Sequence, residues 1–305
     1  MKTVVHYLFN FFMGFVACLI LITQFSFEKN NEKEIADRHI QDTYQWNSPS
    51  VPDKMDFAGE AVPLTSWDVK ERFDRELLFN YYWQNNILFI LKMANRYFPV
   101  IEERLRINGV PADFKYLCIA ESNLLANATS KVGAVGFWQF MAGTAPAYEL
   151  EVNNQVDERK HIIRSTDAAC KYLKTAYQKF GTWTAAAAAY NCGQGGYSKQ
   201  ANIQKTMNYY NLLLPEETNR YIFRILAFKH FIENANELGF VLKNDELYHP
   251  IQTKVITVTE SITDLAQFAI DYGTNYKILR LLNPWLKANV LTVKAGKKYE
   301  ILLPK

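Results

Sequence analysis

Between Trp67 and Phe240 no stretch of the chain is rich in strand signals, and apolar side chains return at helical intervals instead. Val69, Phe73 and Leu77 share one face, and Leu88, Leu91, Phe98, Ile101 and Leu105 recur farther on at near-helical spacing. Pro111 stands at a helix start ahead of ADFKYLCIAESNLL. Ser165 or Thr166 is placed to cap DAACKYLKTAYQKF, which Gly181 closes. Trp183 opens WTAAAAAYNCG, whose five alanines let another helix approach closely. Pro215, with Glu216 and Glu217 at the positive end of a helix dipole, begins a segment running through Ala227 and Ile232. Such pieces build a mainly α-helical domain, assigned to residues 66–245. A chain of 305 residues, 49% apolar and 21% charged, can bury that core and still form a small second module.

After Pro250 the texture changes. KVITVTE alternates and is rich in β-branched residues, SITDLAQFAIDYG is a helix with a Ser cap and a Gly stop, NYKILRLLN is a second short helix, and KKYEILL is another strand. Residues 251–305 are therefore expected to form a β-α-α-β module.

The amino terminus has a different character. From Thr3 to Phe27 the only strongly polar side chains are His6, Asn10 and Gln24, in a run long enough to cross a hydrocarbon core. Residues 1–27 are read as a signal anchor or a signal peptide. Lipid attachment at Cys18 is a further alternative, although apolar sequence continues past it as LILI. Each reading exports the rest of the chain to the cell envelope, on the periplasmic side, membrane-anchored or free. The polar residues 28–65, with Pro49, Pro52 and Pro63, read as a linker tethering the domain. The net charge of +3 is spread without a basic block, which gives nucleic acid no support as a partner. Besides Cys18 there are Cys118, Cys170 and Cys192, with no CxxC or CxxH spacing, so neither a metal nor a cofactor is expected. Buried free thiols are the preferred state, a Cys118–Cys192 bridge the alternative.

One carboxylate stands out. Phe114, Leu117, Cys118 and Leu125 form an apolar stripe at i, i+3, i+4 and i+11, and Glu121 falls on it at i+7. Burial there raises a carboxyl pKa and keeps a transferable proton near neutral pH. An ordinary buried ion pair has the same spacing, and spacing alone does not choose between them. The segment KVGAVGFWQF adds Gly133 and Gly136, then Phe137, Trp138 and Phe140 around the amide of Gln139. That combination suits a sugar groove, which needs apolar faces and a few placed polar groups, and equally a glycine-kinked core element. AYNCGQGG brings Tyr190 and Asn191 to the end of a helix.

Taken in order, ESNLLANATSKVGAVGFWQFMAGTA, STDAA, AAYNCGQG and LPEETNRYI resemble the SLT-domain lytic transglycosylases, over about Trp67 to Phe240. The resemblance implies a lysozyme-like fold with a glycan lying in a groove. It aligns Glu121, of the Glu-Ser pair, with the family's catalytic acid/base. Ser130 and Gln139, in S-x-x-G-A-x-G-x-x-Q, match substrate-groove residues, as do Tyr190 and Asn191, and Glu217 in LPEET matches a further groove acid. Ala142 stands where the family has a proline. The implied partner is the peptidoglycan glycan strand, cut between N-acetylmuramic acid and N-acetylglucosamine to leave 1,6-anhydro ends, with no protein partner indicated. Hydrolysis in the manner of goose-type lysozymes, and non-catalytic wall binding, are the alternatives. The carboxy-terminal TDLAQFAIDYGTNYKILRLLNPWL and GKKYEILLP resemble LysM, with Glu260-Ser261-Ile262 replacing the usual glycine-aspartate-threonine. Glycan binding and a purely packing role both stay open for it.

Overall fold

A computed structural model describes residues 48–305 and Gln24; apart from that one position, the expected anchor or signal over 1–27 lies outside the described residues. Seven helices make the larger part: α1 (Trp67–Tyr81), α2 (Gln84–Ile107), α3 (Phe114–Ser122), α4 (Ile162–Phe180), α5 (Trp183–Cys192), α6 (Gln194–Gln204) and α7 (Glu216–Glu233). The mainly α architecture expected for this region is the one observed. At its centre α5 packs against α4, α6 and α7, and Ala185 through Ala189 are all fully buried. With only methyl groups between the backbones, three helices close around one.

Two expected helix ends move. Helix α4 starts at Ile162, a turn before Ser165 and Thr166, which are fully buried inside it. Their hydroxyls donate back to the carbonyls of His161 and Ile162, at 2.8 and 2.6 Å, a use of Ser and Thr that competes with capping. Helix α3 stops at Ser122, with Asn123 left-handed at φ +50°, so Leu125 is off the helix and exposed. The apolar stripe through Glu121 is accordingly shorter than its spacing implied. Gly181 does close α4, at φ +81°.

The linker expected over 28–65 does not hold for its described part. Strands β1 (Asp56–Phe57) and β2 (Glu60–Ala61) form a tight hairpin, with Phe57 fully buried against Phe114. The Glu60 carboxylate accepts from the backbone N–H groups of Trp183 and Thr184, at 2.5 and 2.8 Å, and so caps α5 from outside the helix. Asp113, before α3, takes the Ala58 N–H and the Lys229 ammonium, each at 2.8 Å. A short polar sequence with one buried aromatic thus belongs to the domain.

Strands β3 (Thr253–Val258) and β4 (Tyr299–Pro304) pair antiparallel, Val255 opposite Leu302, around α8 (Leu265–Asp271) and α9 (Tyr276–Leu282). This is the β-α-α-β order read from the sequence. The cap of α8 is Asp264 rather than the serine: its carboxylate accepts from the Ala266 and Gln267 N–H groups. Ser261 instead accepts from the Val293 N–H at 2.9 Å. The small core of the module takes in Val156 of the helical domain, which bridges to Leu286. Cys118, Cys170 and Cys192 are free thiols. Among the described residues no helix is long and apolar enough to cross a membrane, and no His/Cys/Asp/Glu group is arranged to hold a metal.

Candidate active site

Helix α3 carries Glu121 one residue before its end, at the wall of a cleft of about 560 Å³. Opposite stand Arg220, Arg224 and Phe228 of α7, Phe79 and Asn80 from the end of α1, and Trp83 at the start of α2. Trp83 and Phe79 keep 58% and 63% of their surface exposed at the rim, the amphipathic apolar surface that sugar rings stack on.

The floor is the segment 128–140, and its shape depends on a few bonds. Ser122 donates to the Phe137 carbonyl at 2.8 Å, tying it to α3. Ser130 accepts from the Ala134 N–H at 3.0 Å, closing a turn. Gln139, left-handed at φ +49°, donates its amide to the carbonyls of Gly136 and Ala128, at 2.8 and 3.1 Å. Gly136 lies at φ +87° against Arg159, whose carbonyl oxygen would sit 1.9 Å from any Cβ placed there. Arg159 itself is held in a buried bidentate pair with Asp157, both bonds 2.8 Å, and donates to the Phe140 carbonyl at 3.1 Å. Asn123 and Gln139, which line the cleft, are non-glycine residues at positive φ, as is the buried Leu124 next to Asn123; such backbone strain is common at functional sites.

The electrostatics centre on Glu121. Loss of water pushes its pKa up to about 7; a hydrogen bond from the Tyr221 hydroxyl and the charge of Arg224 oppose the rise, and the charge of Glu217 adds to it. At neutral pH the carboxyl therefore divides between its two forms, which suits a group that first gives and then takes a proton. The other carboxylate lining the cleft, Glu76, is buried to 1% and engaged by Arg220, with Arg224 at 3.9 Å. Among the cleft residues Glu121 is thus the carboxyl without a cationic partner in contact.

The expected residues divide into two sets. Glu121, Ser130 and Gln139 line the cleft together. Tyr190, Asn191 and Glu217 do not line it. The Tyr190 hydroxyl donates to the Trp138 carbonyl at 2.7 Å, and its ring packs edge-on against Trp138, Phe140 and Tyr172. Burial carries the Tyr190 hydroxyl far above its ordinary range, with the nearby Glu121 charge adding to it. Asn191 accepts from the Thr218 hydroxyl at 2.8 Å, and Glu217 is exposed. Sequence reasoning missed Glu76, Arg220, Tyr221 and Arg224. A signal was present: Glu217, Tyr221, Arg224 and Phe228 follow one another at i, i+4, i+7 and i+11, a helix face that is polar where the core should be apolar.

Residues 98–213 match the family described as transglycosylase SLT domain, and residues 254–305 match the soluble lytic transglycosylase C-terminal LysM-like domain. Membrane-bound lytic murein transglycosylase D of Escherichia coli (strain K12) is 27% identical over 217 residues, 70% of this chain and 47% of that protein. A tributyltin chloride resistance protein of Alteromonas sp. (strain M-1) is 29% identical over 117 residues, 38% of this chain and 56% of its own length. Half of this chain superposes on 26% of an inactive variant of lytic transglycosylase Slt from Pseudomonas aeruginosa, at 18% identity and a TM-score of 0.39. The chain spans about half the length of the relatives it matches.

Proposed function

We propose that the protein is a lytic transglycosylase of peptidoglycan that works in the cell envelope, with Glu121 as its sole acid/base. The observation that carries this reading is the Glu121 carboxyl held near pKa 7 in an aromatic-rimmed cleft, where the other carboxylate, Glu76, is tied to Arg220. Glu121 first donates its proton to the glycosidic oxygen as the bond to C1 of N-acetylmuramic acid breaks. As a carboxylate it then takes the proton of that sugar's own C6 hydroxyl, whose oxygen bonds to C1 and closes the 1,6-anhydro ring. No water is consumed, and the nucleophile is already attached, which is worth an effective concentration of about 10⁵ M or more when it is well oriented. Most glycosidases that attack with water or through a covalent intermediate use two carboxylates flanking the bond. The engagement of Glu76 by arginine supports the one-carboxylate route.

In this reading Ser130 and Gln139 shape the groove floor, Tyr190 and Asn191 support the wall behind it, and the charge of the exposed Glu217 raises the proton affinity of Glu121. Mass spectrometry of digested glycan strands tests the reaction. Transglycosylation gives muramic ends lighter by one water than hydrolysis does, and reducing ends alone would overturn the proposal. Glu121→Gln should fold and hold glycan yet release less than about one part in a thousand of the parent's product, since removing general acid–base catalysis costs 10²–10⁴ or more.

A further inference from the structure

The segment around Asn127 divides two clefts. On one side Ala128, Thr129 and Ser130 line the Glu121 cleft; on the other, Asn127 borders a second cleft of about 560 Å³ between the helical domain and the LysM-like module. The second wall is cationic, with Lys160 from one module and Lys277, Arg280 and Lys287 from the other. Lys160 donates to the Asn127 side chain at 3.0 Å and Lys287 to the Asn153 carbonyl at 2.8 Å. Arg280 donates to the Tyr276 hydroxyl and to the carbonyls of Ala288 and Lys287, and lies 5.4 Å from the Tyr276 ring centre. Among the described residues none of the four meets a carboxylate. Other cations are paired with carboxylates, among them Arg104 with Asp167, Arg159 with Asp157, Arg220 with Glu76 and Lys229 with Asp113. Four unpaired positive charges around one concave surface repel each other and attract an anion.

A strand lying in the Glu121 cleft carries its own anions. Each muramic residue bears a stem peptide that leaves the strand sideways and, when unamidated, is rich in free carboxylates. The second cleft is bordered by Asn127, the neighbour in sequence of Ala128 in the Glu121 cleft. We infer that the cationic cleft binds the carboxylates of a stem peptide borne by the strand in the Glu121 cleft, so that the LysM-like module reads peptide at the catalytic domain. The inference rests on the reading of the Glu121 cleft as a glycan groove. It also gives the module a role that does not depend on the sugar-binding motif replaced at Glu260-Ser261-Ile262.

The test uses the full chain with Glu121→Gln, so that bound strands are not cut, and measures affinity for three probes. These are glycan fragments with unamidated stem peptides, the same fragments stripped of peptide by an amidase, and vesicles of phosphatidylglycerol. Peptide-bearing fragments should bind about tenfold more tightly than stripped ones, the effect of one or two charge-assisted contacts. Adding Lys277→Glu, or Lys277→Glu with Lys160→Glu, should abolish that advantage and leave stripped-fragment affinity unchanged, whereas Lys277→Arg should keep it. Among the described residues the exposed Lys277 side chain makes no hydrogen bond or ion pair, so its single substitution tests the site without unfolding it. Equal affinity for both fragments, or an advantage indifferent to these substitutions, overturns the inference and leaves the glycan groove standing. Vesicle binding that the same substitutions abolish, with no peptide preference, overturns it in favour of a lipid surface. If neither fragment binds, the groove reading fails and the inference with it.

Discussion

At the scale of the residue, what distinguishes Glu121 is the balance of its neighbours. Desolvation alone would leave a carboxyl that gives up its proton too reluctantly; Tyr221 and Arg224 bring it back to about 7. Since the first step of the proposed reaction needs the protonated form, kcat/KM should fall as pH rises through about 7. The neighbours give signed tests. Tyr221→Phe removes a bond to the ionised form and Arg224→Met removes a favourable charge, so each should move the alkaline limb to higher pH. Glu217→Gln removes a like charge and should move it to lower pH, by less, because Glu217 is exposed and screened. A pH–rate series on the three variants checks the directions, and a common direction for all three would refute the assignment. Glu121 itself was legible as an acid among apolar neighbours. Its partners were harder to read: Tyr221 and Arg224 lie on a helix face with a polar signal of its own, but about a hundred residues away, and nothing local joins that face to Glu121 until α7 is folded against α3.

At the scale of the element, the groove floor depends on backbone geometry more than on side-chain chemistry. Gly136 is required twice: φ +87° is unfavourable for any other residue, and a Cβ would enter the Arg159 carbonyl. Gly136→Ala should therefore destabilise the domain by about 2–4 kcal/mol, combining left-handed strain and overpacking. Thermal unfolding measures this; Gly133→Ala is the control, because a Cβ there meets nothing and only the φ penalty applies. The hairpin before α1 carries a second expectation. Glu60→Ala leaves the first N–H groups of α5 without their carboxylate and should cost about 1–2 kcal/mol. A value near zero would mean that water replaces it freely. Neither feature was fully readable in one dimension. The glycines of KVGAVGFWQF signalled close approach but not to what, and residues 49–65 looked like a linker because their few apolar side chains show no period. Helices α4, α5 and α7 were readable in outline because each carries a terminator, Gly181, Trp183 and Pro215 respectively, although the start of α4 lay a turn earlier than its Ser and Thr suggested.

At the scale of the whole molecule, the LysM-like module is built into the helical domain. Val156 lies in the module's core, the Asp157 N–H donates to the Trp285 carbonyl at 2.8 Å, and the Lys287 N–H donates to the Gln155 carbonyl at 2.7 Å. Glu151 accepts from Tyr299 at 2.8 Å and pairs with Lys297, and His161 stacks on Trp285 at 5.9 Å. The sequence showed two modules with a Pro-marked change of texture between them, but their docking joins residues 151–161 to residues 285–299, a pairing that no local pattern records. The same docking sets the cationic wall beside the Glu121 cleft, so the proposed peptide reading and the proposed catalysis would depend on one interface. Because backbone bonds and a shared apolar core cross that interface, residues 49–305 should unfold in a single calorimetric transition with matching calorimetric and van't Hoff enthalpies. Trp285→Ala removes the 3%-exposed ring between His161 and Tyr299, and should cost about 3–5 kcal/mol and split the transition in two, the module melting first. Two separate transitions in the parent protein would instead show that the modules fold independently, and the cationic cleft would then have no rigid wall.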